Sequence, residues 1–241
     1  YQFECEGYFC LDGRDGGGIA GAGRPGGDKH HNVRYQARIE LGLKQFLSEG
    51  KTAPKYHPRS RPNTVEADAV KKAIELADKA DCPLYIVHVS THEALDQIHK
   101  AQSKGQPVYA ETCPQYLLLD ENLYDQPFDQ ACKYVMSPPL RKKEDQEALW
   151  QAIADGVIQT IGTDHCSFTL EQKRNGLHDF TKIPNGAPGV ENRLAILYTY
   201  GVLTGKLSLQ RMVDVFATAP AKFNGLFPKK GSLLAGGDAD L

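Results

Sequence analysis

Strand-like apolar runs alternate with helical patterns through the middle of this chain. The runs begin at Leu84, Val108, Tyr134 and Val157, and each is bounded by glycine, proline or charged residues. Parallel strands need long crossover connections, and a helix between successive strands is the usual one. The alternation therefore predicts an α/β fold, most simply a barrel of (β/α) units. Because about four strands are evident where a TIM barrel has eight, we expect a partial barrel, the second half of one.

Short-range signals mark the predicted helix boundaries. Asn63 with Glu66, and Ser90 with Glu93, have the spacing of capping boxes at helix starts. Gly105 follows the second of these helices, and glycine commonly ends a helix because it readily adopts the left-handed conformation. These signals predict one helix on each side of the first strand.

Composition and charge exclude several classes of protein. The chain has 241 residues, with 28 basic and 30 acidic side chains and a formal net charge of −2, which favours neither nucleic acid nor an acidic membrane surface as a partner. No apolar run approaches the roughly 20 residues needed to cross a bilayer. The six cysteines are spread singly without a CxxC pair. This is typical of reduced thiols and predicts a cytoplasmic protein rather than a disulfide framework or a zinc ribbon.

The first 42 residues differ from the rest of the chain. Glycine is concentrated over residues 13–27, where Gly16, Gly18 and Gly21 satisfy the GxGxxG pattern of phosphate-binding loops. That pattern requires a helix opening at its last glycine, and Pro25 would interrupt this helix near its start. We interpret the match as chance, which leaves a nucleotide-binding module as the weaker alternative. Residues 1–42 are predicted to be an anomalous Gly-rich segment, poorly ordered or unlike the rest.

Chemically capable side chains stand where the predicted strands end. They are His88, Glu111, Ser137 and Asp164, and the long loop after the last strand adds Asn185. In a barrel the carboxyl ends of all strands meet at one mouth, so we expect these residues to converge. Neutral imidazole and carboxylate together suit Zn²⁺, Mn²⁺ or Fe²⁺. Asp164 could ligate such a metal and also act as a general base on a water that the metal activates.

Each candidate also has a purely structural interpretation. His88 lies between two valines and could be a hydrogen-bonded core residue, and Asp164 with His165 could cap a turn. Ser137 could simply end a strand, and Asn185 followed by glycine is a common turn pair. Three further histidines are assigned no role: His92, His99 and His178.

Six motifs carry a resemblance to a known family. They are YIVHVS at 85–90, YAETCPQYL at 109–117, YVMSPPLR at 134–141, GTDHCSF at 162–168, FTKIPNG at 180–186 and KGSLLAGGDADL at 230–241. In order and spacing the chain resembles, from about Leu47 to its end, the cyclic amidohydrolases of the dihydropyrimidinase and D-hydantoinase family.

This resemblance implies a fold, a metal and roles for four residues. It implies that 43–228 form the second half of a metal-dependent amidohydrolase barrel and that 229–241 begin the return to a β-sandwich domain. By the same likeness His88 ligates one metal, Asp164 ligates the other and shuttles protons, and Ser137 and Asn185 bind the ring's amide edge largely through backbone atoms. The implied cofactor is a binuclear Zn²⁺ centre, with Mn²⁺ or another divalent cation possible, and the implied assembly is a homotetramer.

The implied reaction is reversible opening of a small-molecule dihydropyrimidine or hydantoin ring to an N-carbamoyl amino acid. The family's N-terminal HxH pair and carboxylated lysine have no counterpart here, and His31–Asn32–Val33 does not match the family's further ligand motif. We therefore expect the chain alone to be a poor catalyst or inactive. The alternative is a non-catalytic, oligomerising homologue or truncated remnant. Retention of both His88 and Asp164 favours enzyme ancestry, and metal analysis distinguishes the two.

Overall fold

The computed structural model describes residues 8–10 and 29–238, with side chains from Arg38 onward. Within them the strands are β1 Tyr8–Cys10, β2 Leu84–Ile86, β3 Val108–Thr112 and β4 Thr160–Ile161. The α-helices are α1 Lys29–Ser48, α2 Asn63–Lys79, α3 His92–Gln102, α4 Pro114–Leu118, α5 Phe128–Ala131, α6 Lys143–Ala154, α7 Leu170–Lys173, α8 Arg193–Ile196, α9 Leu209–Val213 and α10 Ala219–Phe223. The 3-10 turns are Pro54–Tyr56, Pro58–Ser60, Glu121–Asp125, Cys132–Tyr134, Arg174–Gly176 and Phe180–Lys182, and π-helical turns extend α8 and α9 over Leu197–Val202 and Asp214–Thr218.

The four strands form one sheet in the order β1-β2-β3-β4. Strands β2 and β3 run parallel with Leu84 opposite Val108, and β3 and β4 run parallel with Glu111 opposite Thr160. Helix α3 connects β2 to β3, and α6 precedes β4, so the predicted α/β pattern with a parallel sheet is confirmed. Strand β1 pairs antiparallel with β2. The carboxyl ends of β2, β3 and β4 therefore share one edge of the sheet.

The strand predicted at Tyr134–Ser137 is not formed, and this prediction was wrong. The segment begins at the last residue of the 3-10 turn Cys132–Tyr134 and has no ladder pairing among the described residues. Its carbonyls bind other partners: that of Met136 accepts from His57 Nε2 at 2.8 Å, and that of Val135 accepts from Lys173 Nζ at 2.8 Å. Val135 and Met136 are buried. The apolar pattern thus predicted burial correctly, but side chains replaced the hydrogen bonds of a sheet.

Both predicted capping boxes are absent because tertiary partners take their side chains. Asn63 is the first residue of α2 and makes no capping hydrogen bond there. Glu66 instead accepts from the Ser90 N–H at 2.8 Å. The N-cap of α3 is Thr91, whose hydroxyl accepts from the Ala94 N–H at 3.3 Å. The helices lie where the pattern placed them, but α3 is capped by Thr91 and α2 begins after Pro62 without a side-chain cap.

The core joins apolar residues of the sheet to those of the surrounding helices. Its central members include Ile86, Ala110, Ile161, Val70, Ala73, Ile98, Leu149 and Ile153. Gly105 ends α3 with a φ of 80°, which confirms its predicted role. Among the described side chains, Cys113, Cys132 and Cys166 are free thiols, as predicted.

Some predictions concern residues that lie partly or wholly outside the described parts. The GxGxxG run is outside them, as are Cys5 and residues 239–241. Helix α1 begins at Lys29, inside the segment 1–42. The domain boundaries near 42 and 229, and the return to a β-sandwich, stay predictions. Among the helices of 29–238, none has the length and apolar character to cross a membrane.

Candidate active site

His88 and Asp164 lie just beyond β2 and β4, at the same edge of the sheet. His88 follows the last residue of β2 by two positions, and Asp164 follows that of β4 by three. Both have left-handed backbones, with φ of 43° and 47°. Among the described non-glycine residues, only Asp81 shares this conformation. Such strained backbones cluster at active sites and ligand clamps, where surrounding structure holds them.

The ring of His88 presents a buried nitrogen with no protein partner. Its Nε2 is inaccessible to solvent and has no hydrogen-bond acceptor or donor among the described residues. Burial lowers the pKa of His88, while the nearby carboxylates of Asp164 and Glu66 oppose this effect. The ring is therefore neutral near pH 7, and its free nitrogen fits a metal ion. Asp164 is exposed, and its negative charge acts to raise the pKa of the same ring.

Glu111, the third strand-end residue, is held in a buried hydrogen-bond chain. Tyr85 donates its hydroxyl hydrogen to Glu111 Oε2 at 2.9 Å, and the Tyr85 and Thr160 hydroxyls are 2.5 Å apart. Burial raises the pKa of Glu111, and the charge of Asp164 raises it further. Gly162 lies against this carboxyl group. The Glu111 carboxyl group thus lies between Tyr85 of β2 and Gly162, the residue that follows β4.

His165 binds the loop after β4 and makes no ion pair with Asp164. Its Nδ1 accepts from the N–H groups of Gly189 at 3.1 Å and Val190 at 3.4 Å. The N–H of Cys166 donates to the carbonyl of Ala187 in the same loop at 3.1 Å. The imidazole therefore anchors the long loop after β4 beside the strand end, and the Asp164 carboxylate is left available.

Ser137 and Asn185 lie in two segments that are in direct contact. The Gly186 N–H donates to the Val135 carbonyl at 3.0 Å, which places the residue after Asn185 against the segment that leads to Ser137. Asn185 Oδ1 is buried and has no partner among the described residues. The same loop runs beside the end of β4, where His165 and its neighbour contact residue 187. The structure therefore brings the predicted substrate-binding pair together and close to the strand that carries Asp164.

A buried ion pair behind His88 escaped sequence reasoning. Arg141 donates from Nη2 to Glu66 at 3.1 Å, from Nε to the Ser90 hydroxyl at 3.1 Å, and from Nη1 to the Arg61 carbonyl at 2.5 Å. The side chains of Arg141 and Glu66 are only 6% and 13% exposed. Ser90 follows His88 by two residues, so this pair fixes the segment that carries the ring. The one available signal was the arginine that closes the SPPLR motif.

A second group of possible metal ligands surrounds His92, to which the sequence assigned no role. His92, Glu93 and Asp145 each offer a ligand atom, all within 4.8 Å of one another. His92 Nδ1 is 3.0 Å from Asp145 and 3.3 Å from Glu93. Asp145 also accepts from the His92 N–H at 3.0 Å and from Asn63 Nδ2 at 3.1 Å. These bonds join the starts of α2, α3 and α6, which accounts for the cluster as a structural link.

Comparisons with known proteins agree with the motifs. A model of the amidohydrolase family matches residues 16–241. The D-hydantoinase of Geobacillus stearothermophilus is 48% identical over 204 residues, which are 84% of this chain and 43% of that protein. The D-phenylhydantoinase of Escherichia coli O1:K1 is 47% identical over 85% of this chain and 44% of its own length.

Solved structures give the same result. The dihydropyrimidinase of Brevibacillus agri NCHU1002 superposes with a TM-score of 0.83 at 48% identity, over 84% of this chain and 44% of that one. The D-hydantoinase of Bacillus sp. AR9 gives 0.83 at 49%, over 85% and 45%. The chain spans less than half the length of the curated relatives it matches. With a family model matching nearly its whole length, this chain belongs to the amidohydrolase family.

Proposed function

We propose that this chain carries part of the active site of a metal-dependent hydrolase that opens cyclic amides, namely hydantoins or dihydropyrimidines. The observation that carries the proposal is the buried Nε2 of His88, which has no hydrogen-bond partner in the described part of the chain, at the same sheet edge as Asp164, whose charge acts on the pKa of that ring. The similarity to D-hydantoinases and to a dihydropyrimidinase supports the substrate class.

His88 and Asp164 are the residues proposed to hold metal. An imidazole nitrogen and a carboxylate suit Zn²⁺, with Mn²⁺ as the alternative, and the resemblance points to two ions. A bound cation would polarise the amide carbonyl and acidify the attacking water. Two flanking structures keep the ligands in place: the Arg141–Glu66 pair behind His88 and the left-handed turn at Asp164.

Asp164 is proposed to move the proton that ring opening requires. Its carboxylate takes a proton from the attacking water as the new C–O bond forms at the amide carbon. The same carboxyl group then gives this proton to the ring nitrogen as the C–N bond breaks. The immediate products are one carboxylic acid and one neutral carbamoyl nitrogen, and the acid then releases the second proton of the water to solvent as it becomes a carboxylate, so atoms and charges balance. The exposure of Asp164 leaves it accessible to both water and substrate.

Ser137 and Asn185 are proposed to hold the amide edge of the ring. The two segments that carry them are in contact, because the Gly186 N–H donates to the Val135 carbonyl. A planar amide edge offers one acceptor and one donor, which backbone N–H and C=O groups can match.

The larger assembly is also a proposal. We infer that the parallel sheet is part of a (β/α)8 barrel, because relatives of about twice this length superpose on it. A return to a β-sandwich after residue 228, a homotetramer and a cytoplasmic location follow from the family resemblance and the reduced thiols.

Metal binding tests the proposal directly. The metal-free chain is titrated with Zn²⁺ and, for its visible spectrum, with Co²⁺. We expect His88→Asn and Asp164→Asn each to weaken binding at least tenfold, whereas His99→Asn, which changes an exposed histidine of α3, leaves it unchanged. A further variant, His92→Asn, shows whether the metal binds instead at the group of His92, Glu93 and Asp145. Loss of binding in His92→Asn, with full binding in His88→Asn, would overturn the assignment.

Turnover gives the second test. Hydrolysis of hydantoin and dihydrouracil is followed with and without added Zn²⁺, and we expect Asp164→Asn to abolish any activity of the parent chain. The non-catalytic alternative is favoured if the parent chain retains no metal and turns over neither ring.

A further inference from the structure

Lys173, at the end of α7, is a buried lysine. Among the described residues, its ammonium donates hydrogen bonds only to backbone carbonyls. The residue is 3% exposed. Its Nζ donates to Val135 at 2.8 Å, to Pro184 at 2.7 Å and to Gly186 at 2.7 Å. An ammonium has three N–H donors, and here each has one carbonyl.

The surroundings of Lys173 contain no carboxylate that pairs with it in the described part of the chain. The groups that face it are the ring of Phe168, 5.4 Å from Nζ, the thiols of Cys132 and Cys166, and the imidazole of His57. Burial lowers the pKa of Lys173 to about 8. An unpaired buried cation weakens a fold, so an apolar side chain of similar size would fill this space at lower cost.

The three carbonyls belong to the two segments of the candidate substrate site. Val135 precedes Ser137 by two residues, and Pro184 and Gly186 flank Asn185. The Val135 carbonyl accepts from both Lys173 Nζ and the Gly186 N–H, so it is the common point of the two segments. The Lys173 side chain thereby binds both segments at once.

We propose that Lys173 is a positioning residue that sets the relative placement of Ser137 and Asn185, and with it the recognition of the ring's amide edge. The inference rests on the proposed function for its substrate, and on the three hydrogen bonds for its geometry. The contacts of the Lys173 ammonium do not include His88 or Asp164. Its removal should therefore weaken substrate binding and leave metal binding unchanged.

The test compares the full chain with Lys173→Met, which keeps the length and apolar contacts of the side chain and removes its donors. Hydrogen–deuterium exchange is measured in peptides covering 134–138 and 184–189. We expect faster exchange in both, with unchanged exchange in β2 and β3 and unchanged Zn²⁺ content. The matched control is Lys182→Met in the same loop, where the side chain is 69% exposed.

Two outcomes overturn the proposal: unchanged exchange in either peptide, or a uniform rise along the whole chain. Binding of hydantoin to the Zn²⁺-loaded chain adds a second readout, with Kd expected to rise at least tenfold in Lys173→Met and to stay constant in Lys182→Met. Equal Kd values also overturn it. If the parent chain binds neither Zn²⁺ nor hydantoin, the proposed function fails, while exchange still decides the coupling of the two segments.

If Lys173→Met does not fold, a chain that keeps Lys173 supplies the test through the titration of this residue. A neutral amine has two N–H donors, so one carbonyl loses its partner when Lys173 deprotonates. The Gly186 amide resonance is followed from pH 6.5 to 9.5 in a Cys166→Ser background, which removes the exposed thiol nearby. Burial raises the pKa of Cys132 and lowers that of His57, so neither titrates with Lys173. A shift of the Gly186 resonance with its midpoint near pH 8 supports the proposal, and a constant Gly186 resonance while the side-chain resonances of Lys173 titrate overturns it.

Discussion

The carboxyl carbon of Glu111 lies 2.5 Å from the point that a β-carbon on Gly162 would occupy. The carboxyl group cannot move away easily, because it accepts a hydrogen bond from Tyr85 at 2.9 Å and is partly buried. Glycine at 162 is therefore required by the close approach of β4 to the side chain from β3. This contact lies at the same edge of the sheet as His88 and Asp164.

We expect Gly162→Ala to lower the free energy of unfolding by about 1–3 kcal/mol, because the added methyl overlaps the Glu111 carboxyl group. Denaturant unfolding of the full chain measures the change. The double variant Gly162→Ala/Glu111→Ala removes the overlap, so its cost should fall below the sum of the single changes. Gly42→Ala is the control, since its added methyl would make an ordinary contact at 3.4 Å. Strict additivity at 111 and 162 would contradict the overlap.

Arg141→Met should be strongly destabilising, by about 3–5 kcal/mol, because it leaves the buried Glu66 carboxylate without its cation. Chemical denaturation gives the value. The exposed pair of Arg174 and Asp129, with side chains 52% and 47% exposed, supplies the control. There Arg174→Met is expected to change stability by about 1 kcal/mol or less. Equal losses in the two variants would show that burial of the Arg141 pair does not matter.

Breaking the Arg141 pair should also alter the position of His88. Arg141 binds Ser90, two residues along the chain from His88, so Arg141→Met should weaken Zn²⁺ binding as well as the fold. Titration at a temperature where the variant remains folded separates the two effects. Zn²⁺ affinity equal to that of the parent would limit the pair to a role in stability.

The stability contribution of His92 should depend on pH. Burial lowers the pKa of His92, but its hydrogen bond to Asp145 and the charge of Glu93 outweigh this effect, and the pKa is raised. A raised folded-state pKa means that the contribution is fully present below the unfolded value of about 6.5 and is lost as pH rises through the folded value. Stability lost in His92→Gln should thus be larger at pH 5.5 than at pH 8.5.

Thermal or denaturant unfolding of His92→Gln at the two pH values provides the measurement. Because the His92 side chain is 51% exposed, added salt should shrink the difference. His99→Gln on the same helix gives the background pH dependence. A loss that is the same at both pH values would contradict the predicted linkage.

Local patterns in the sequence determined the α/β alternation, the start of β3 at Val108 and the turn at Gly105 that follows α3. These features depend on side-chain periodicity and backbone sterics, which act between residues close in the chain. The same periodicity located His88 and Asp164 at strand ends, and parallel strands then placed them at one edge.

Only the tertiary structure decided where polar side chains and carbonyls found their partners. Glu66 binds Ser90 and Arg141 and does not form its predicted cap. In the apolar run at Tyr134–Ser137, two carbonyls accept hydrogen bonds from His57 and Lys173 and not from a neighbouring strand. A buried polar group must be satisfied, and the nearest partner in space is often distant in sequence. Periodicity therefore predicts which residues are buried, whereas the packing of distant segments determines what each buried polar atom binds.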